Sequence, residues 1–124
     1  MKLFKMAVLI ALSCFHLPAF SSFLKDGEYK AIFGNGNAYH IHLAATELGW
    51  QGIKGEEKGL SDEIRQFQHV NLRKGIDVYQ WVGSKGNFNF NVIIIDREHA
   101  TILASGVNKH ESWMWQGHLI PWSA

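Results

Sequence analysis

Apolar residues of this chain recur at every second position, and this period constrains the fold more than any other feature. Tyr39, Ile41 and Leu43 alternate with polar or small neighbours, and Phe90 and Val92 alternate with asparagines. A period of two places alternate side chains on one face of a β-strand, whereas a helix would require a period of 3.6. The pattern therefore predicts an all-β fold.

Turn signals separate these alternating runs. Residues 34–37 read Gly-Asn-Gly-Asn, residues 83–87 Gly-Ser-Lys-Gly-Asn, and residues 96–99 Asp-Arg-Glu-His. Glycine and asparagine accept the positive φ that tight hairpins need, so residues 34–37 predict a hairpin. The predicted strands are 28–33, 38–44, 48–53, 67–72, 76–82, 88–95, 99–105 and 112–120.

Eight short antiparallel strands in about 100 residues favour an up-and-down barrel, because closure removes exposed strand edges. A two-sheet sandwich is the alternative. The competing segment is 56–67, where Ser61, Asp62 and Glu63 could cap a single helical turn. Four glycines between positions 49 and 59 argue against a longer helix.

Residues 1–21 have the layout of a signal peptide, which leaves residues 22–124 as one barrel domain. Lys2 and Lys5 form a basic start, residues 6–12 are apolar, and small residues precede a predicted cleavage after Ser21. The apolar run is too short for a membrane span. Lipidation at Cys14 is an alternative, although Ala11 fits the required signal poorly. The segment predicts a periplasmic or secreted protein.

The composition narrows the function classes. The whole chain has a formal charge of +1, and removal of residues 1–21 leaves 10 basic and 11 acidic residues without any cysteine. This balance disfavours nucleic-acid binding, and the mature chain has no disulfide or thiol nucleophile. No Gly-x-Ser-x-Gly motif or phosphate-binding loop occurs. The sequence predicts no cofactor.

All five tryptophans lie in the mature chain, and aromatic residues share one parity within several predicted strands. An eight-stranded barrel is wide enough for one small ligand, and indoles suit an apolar or aromatic one. The same rings could instead fill the barrel as a core. The predicted ligand-binding residues are Tyr29, Phe33, Trp50, Tyr79, Trp81 and Trp115.

Two polar patterns suggest other chemistry. His40 and His42 share a strand face and could ligate a metal with a third ligand such as His69, His118 or Glu47. A solvated strand face is the favoured explanation of the pair, so no metal site is predicted. Asp77 alternates with Tyr79 and could be a buried acid with a raised pKa, or a wet residue at the mouth of the barrel.

The stretch from Leu72 to Ile120 contains Tyr-Gln-Trp at 79–81, a glycine-rich turn, a strand ending in Asp96, and Gly-His-Leu-Ile at 117–120. In this order of motifs it resembles the MoaF-like branch of the lipocalin-like (calycin) barrels. The resemblance implies a lipocalin-like barrel. The related phenolic acid decarboxylases carry a glutamate two residues after the tryptophan, where this chain has Gly83. The MoaF-like pattern often has an acid after its tryptophan too, so Gly83 departs from both. The decarboxylases' paired tyrosines are also missing, so their chemistry does not carry over.

The sequence therefore predicts an exported, non-catalytic barrel that binds a small apolar or aromatic molecule. One alternative is an enzyme of the same fold, a lyase or hydrolase that acts on such a molecule through Asp77 and Tyr79. The other is a protein–protein interaction module that docks a partner through Trp113 and Trp115.

Overall fold

The computed structural model describes residues 23–83 and 89–123, and every helix or strand assigned there is a β-strand. None of these residues belongs to a helix long and apolar enough to cross a membrane. The strands are β1 (Gly27–Phe33), β2 (Ala38–Leu43), β3 (Leu48–Lys54), β4 (Ser61–Ile64), β5 (Gln68–Arg73), β6 (Ile76–Val82), β7 (Asn89–Asp96), β8 (Thr101–Asn108) and β9 (Ser112–Pro121).

The nine strands form a single curled antiparallel sheet in the order β4-β3-β2-β1-β9-β8-β7-β6-β5. Neighbours along the chain pair as hairpins, except for β4 and β5, and β1 pairs with β9 at Tyr29↔Pro121 and Phe33↔Gly117. The predicted hairpin at residues 34–37 is confirmed: the Phe33 amide donates to the Asn37 carbonyl at 2.9 Å, and Gly36 has a φ of +95°. The first and last strands therefore lie in the middle of the sheet.

The all-β, antiparallel prediction is confirmed, but the strand count and the closure differ from expectation. Residues 61–64, considered for a helical turn, form the extra strand β4, which pairs with β3 at Trp50↔Asp62. β4 and β5 are the two edge strands of the sheet, and no backbone pairing joins them. Residues 65–67 link them as a short connection, so the sheet forms a half-barrel and not a closed barrel. Strand pairing outweighed the local helix-capping pattern. The predicted signal peptide lies outside the described residues.

The deepest packing lies at one end of the half-barrel, which we term the closed end. The largest fully buried side chains of the described residues lie here, namely Tyr79, Leu43 and Ile95. Residues 23–26 cover this end: the Leu24 amide donates to the Arg97 carbonyl at 3.0 Å. Burial of an aliphatic or aromatic side chain contributes about 1.5–3 kcal/mol, so these residues stabilise the closed end.

The opposite, open end is defined by Phe33, Trp50, Trp81, Trp113 and Trp115. Its four indoles are only half-buried, although they occupy the same inward parity as the fully buried residues of their strands. This end of the sheet therefore leaves aromatic surface facing an interior space.

Candidate functional site

A cleft of about 600 Å³ occupies the open end of the half-barrel. Four of the six predicted ligand-binding residues line it, namely Phe33, Trp50, Trp81 and Trp115. Trp113, which the sequence analysis named only for the alternative docking of a protein partner, lines it too. The alternation of aromatic residues thus identified most of the aromatic wall of one cavity.

Tyr29 and Tyr79, the other two predicted residues, lie in the core at the closed end. The Tyr29 hydroxyl donates to the Lys25 carbonyl at 2.5 Å, and the Tyr79 hydroxyl donates to the Ala44 carbonyl at 3.1 Å. Both hydroxyls therefore satisfy backbone acceptors, and neither residue is part of the cleft lining.

Tyr39 is the centre of the aromatic wall, and the sequence prediction of the site omitted it. Its ring makes edge-on contacts with Phe33 and Trp50 at centroid distances of 5.8 and 5.6 Å, and stacks on Trp115 at 6.4 Å. Such contacts favour offset or edge-to-face geometry. The sequence did contain an indication that Tyr39 faces inward, because Tyr39 lies on the same strand face as the core residues Ile41 and Leu43.

The Tyr39 hydroxyl donates a hydrogen bond to the Glu57 carboxylate. Burial, reinforced by this carboxylate, raises the pKa of Tyr39, because both disfavour the phenolate. The hydroxyl thus remains a donor and holds the Glu57 side chain against the aromatic wall.

Glu57 reaches Tyr39 because residues 55–60 fold back over β3. The Gly52 amide donates to the Leu60 carbonyl at 2.8 Å, and the Gly59 amide donates to the Gly52 carbonyl at 3.0 Å. A Cβ at Gly52 would lie 2.0 Å from the Glu57 carbonyl oxygen. Only glycine at position 52 lets the loop backbone approach this closely.

Polar side chains complete the wall opposite this loop. Asn89 and Asn91 line the cleft from β7, while Ile93 and Ile95 on the same parity are buried deeper. The face of β7 thus changes from apolar to polar toward the open end. Sequence alternation alone did not indicate which parity of this strand faces inward.

Asp77 belongs to the closed end and is 5% exposed. Arg97 Nε donates to Asp77 Oδ2 at 2.6 Å, while His69 Nε2 and Asn71 Nδ2 lie 2.8 and 3.2 Å from Oδ1. Burial alone would raise the pKa of Asp77, but the hydrogen bonds from His69, Arg97 and Asn71 outweigh it and lower that pKa. The interpretation of Asp77 as a buried acid is therefore confirmed, whereas the expected rise of its pKa and the alternative wet position are wrong.

The same arginine ties the N-terminal segment to the sheet. Arg97 Nη1 donates to the Leu24 carbonyl at 3.0 Å, and Nη2 donates to Asp26 Oδ1 at 2.9 Å. The guanidinium thus bonds three acceptors in a fixed geometry. With Asp77 it forms a structural ion pair at the closed end, away from the cleft.

His40 and His42 lie on the outer face of β2 and share one carboxylate. His40 Nε2 lies 2.5 Å from Glu28 Oε1, His42 Nδ1 contacts Glu28 Oε2, and His42 Nε2 lies 2.9 Å from Glu47 Oε1. The hydrogen bond with Glu28 raises the pKa of His42, since it favours the imidazolium. His69, one suggested third ligand, lies at the closed end, and no three potential ligands converge on a metal site within residues 23–83 and 89–123.

Comparison with known proteins shows the fold alone. No family model matches this chain, and no curated protein sequence does. A crystal structure described as a "putative beta-lactamase" from Burkholderia vietnamiensis superimposes with a TM-score of 0.66 at 11% sequence identity, covering 77% of this chain and 91% of that one. The architecture thus occurs in a solved protein, whereas the MoaF-like resemblance stays a prediction.

Proposed function

We propose that this protein binds a small organic molecule in the cleft of its open end without transforming it. The supporting observation is the partial burial of four tryptophans, whose indoles line one cavity and are only half-buried. Small-molecule sites are typically concave spaces of about 300–1,000 Å³ lined by aromatic residues and a few polar groups. Phe33, Tyr39 and the asparagines of β7 supply that mixture here.

The proposal includes export to the periplasm or the medium, after cleavage of residues 1–21, and a lipocalin-like mode of binding. The support for export is the sequence of the first 21 residues. Fractionation of the expressing cells, with the mass of the recovered protein, tests this part. A soluble periplasmic or secreted form lacking residues 1–21 supports it, and a cytoplasmic full-length protein contradicts it.

Titration with N-phenyl-1-naphthylamine tests the binding proposal, because this neutral probe fluoresces strongly in apolar sites. We expect saturable binding, and we expect Trp81→Leu and Trp115→Leu to weaken it about tenfold, since each removes an aromatic contact surface. Indole emission of the wild-type protein should change over the same concentration range.

Trp122 provides the matched control, because it stacks on His40 at 3.8 Å on the outer face and does not line the cleft. Trp122→Leu should leave the probe affinity unchanged. Tyr79→Phe, at the closed end, should do the same. Equal losses in Trp122→Leu and Trp81→Leu, or the absence of saturable binding, would contradict a ligand site in the cleft.

A further inference from the structure

The polar part of the cleft lining is strongly acidic. Glu56, Glu57, Asp62 and Glu111 line it, and no lysine, arginine or histidine does so among the described residues. None of the four carboxylates belongs to an ion pair within residues 23–83 and 89–123. Carboxylates elsewhere in the fold, such as Asp77 and Glu28, do have cationic or histidine partners.

The position of the acidic groups is built into the fold. The approach of the 55–60 loop to Gly52 fixes Glu57, and the buried Asn37 side chain accepts a hydrogen bond from the Glu56 amide at 3.4 Å. Gly55, with a φ of +99°, lies against the same asparagine. Asp62 is held on β4 by the pairing with Trp50. Two neighbouring structures thus bring negative charge to the aromatic wall.

Aromatic faces and carboxylates attract the same kind of ligand. The face of an indole carries negative electrostatic potential and binds cations best among the aromatic side chains. A carboxylate in a partly desolvated cleft attracts a cation more strongly than it would in water. Glu57 combines both effects, because its carboxylate contacts the Tyr39 hydroxyl in the centre of the aromatic cluster.

We propose that the cleft selects an organic cation, an ammonium group attached to an apolar or aromatic body, and that Glu57 and the surrounding tryptophans hold the charged group. The inference rests on the proposed binding function and specifies its ligand class. An inorganic divalent cation fits less well, since three or more converging ligands are not found among the described residues.

Three probes of nearly equal size and different charge test the proposal: 2-phenylethylammonium, the neutral 2-phenylethanol and the anionic 3-phenylpropionate. Calorimetric titration of the purified protein should show the cation binding about tenfold more tightly than the alcohol, and the anion binding most weakly. Higher salt should reduce the preference for the cation, since screening weakens the attraction of the exposed acids.

Glu57→Gln and Glu111→Gln should each weaken binding of the cation several-fold and leave the alcohol unchanged. Glutamine keeps a hydrogen-bond acceptor for Tyr39, and Glu111 is exposed, so both variants should fold. Glu98→Gln is the matched control, because Glu98 is exposed in the turn between β7 and β8 and does not line the cleft.

The outcomes separate this inference from the binding function. Equal affinities for the cation and the alcohol would overturn the cation preference and leave the ligand site intact. Equal losses for both probes in Glu57→Gln would assign Glu57 a structural role and also overturn it. If none of the three probes binds and N-phenyl-1-naphthylamine also fails, the binding function and the inference fail together.

Discussion

Aromatic rings and carboxylates occur at both ends of the half-barrel, but their partners differ. At the closed end the Asp77 carboxylate is bonded by Arg97, His69 and Asn71, and Tyr79 is fully buried. At the open end Glu57 is bonded by Tyr39, and the indoles are half-exposed. The polar groups of the closed end bond to one another, whereas the carboxylates that line the open end have no ion-pair partner among the described residues, which is the arrangement that the proposed ligand site requires.

The largest effect should follow from removing the arginine of the closed end. Arg97→Met leaves Asp77 buried without its cationic partner, and breaking a buried ion pair on one side costs about 3–5 kcal/mol of unfolding free energy. Urea unfolding followed by circular dichroism measures this loss. Arg73→Met, on the exposed edge strand β5, is the control and should change stability by less than about 0.5 kcal/mol. Similar losses of unfolding free energy in the two variants would contradict the conclusion that the Arg97–Asp77 pair stabilises the closed end.

A smaller loss should follow from crowding the loop at the open end. Gly52→Ala places a Cβ against the Glu57 carbonyl, and overpacking of this kind costs about 1–3 kcal/mol. We expect the variant to lose cation preference as well, because the loop must move. Gly34→Ala is the matched control, since its Cβ would meet only the Gln116 carbonyl oxygen at 3.8 Å. An unchanged cation preference in Gly52→Ala would show that the loop does not position the acid.

Acidification should weaken the closed end by a smaller amount still. The pKa of Asp77 is lowered in the folded protein relative to its unfolded value of about 3.8. The Asp77 carboxylate therefore contributes fully to the unfolding free energy above about pH 3.8, and this contribution is lost as the pH falls through the lower folded pKa. Between pH 5 and pH 3 the wild type should therefore lose more unfolding free energy than Asp77→Asn. Parallel losses in the two proteins would show that Asp77 has no net stabilising interaction.

The smallest effect on stability should come from the rim of the open end. Glu111→Gln removes an exposed charge without breaking any ion pair of the described residues, so unfolding free energy should change by less than about 0.5 kcal/mol. Thermal unfolding of the variant beside the wild type checks this. A loss comparable with that of Arg97→Met would mean that the open end, too, satisfies its charges internally.

The sequence predicted the parts of this structure that depend on local patterns. Strand alternation and the turn at residues 34–37 were sufficient for the antiparallel sheet, and aromatic parity identified Trp50, Trp81 and Trp115 on the cleft wall. These features follow from the two-residue period of a strand, which needs no knowledge of distant partners.

The missed roles of two acids depend on residues far apart in the chain. Glu57 contacts Tyr39, 18 positions away, and Asp77 is bonded by Arg97, 20 positions away in the turn between β7 and β8. The open edge between β4 and β5 likewise depends on which strands pair. Alternation of apolar and polar residues predicts that a segment forms a strand. It does not identify the strand with which that segment pairs, or the charged residues that lie across from it.

The pairing of β1 with β9 has a consequence for the order of folding. Every other strand contact is a hairpin between chain neighbours, so β1–β4 and β5–β9 can each assemble as a local meander, while the β1–β9 ladder needs the longest loop closure. Phe33 and Trp50 come from the first meander, and Trp81 and Trp115 from the second. The cleft is therefore completed only when the two meanders dock, and a ligand that contacts both would stabilise the docked chain over either half.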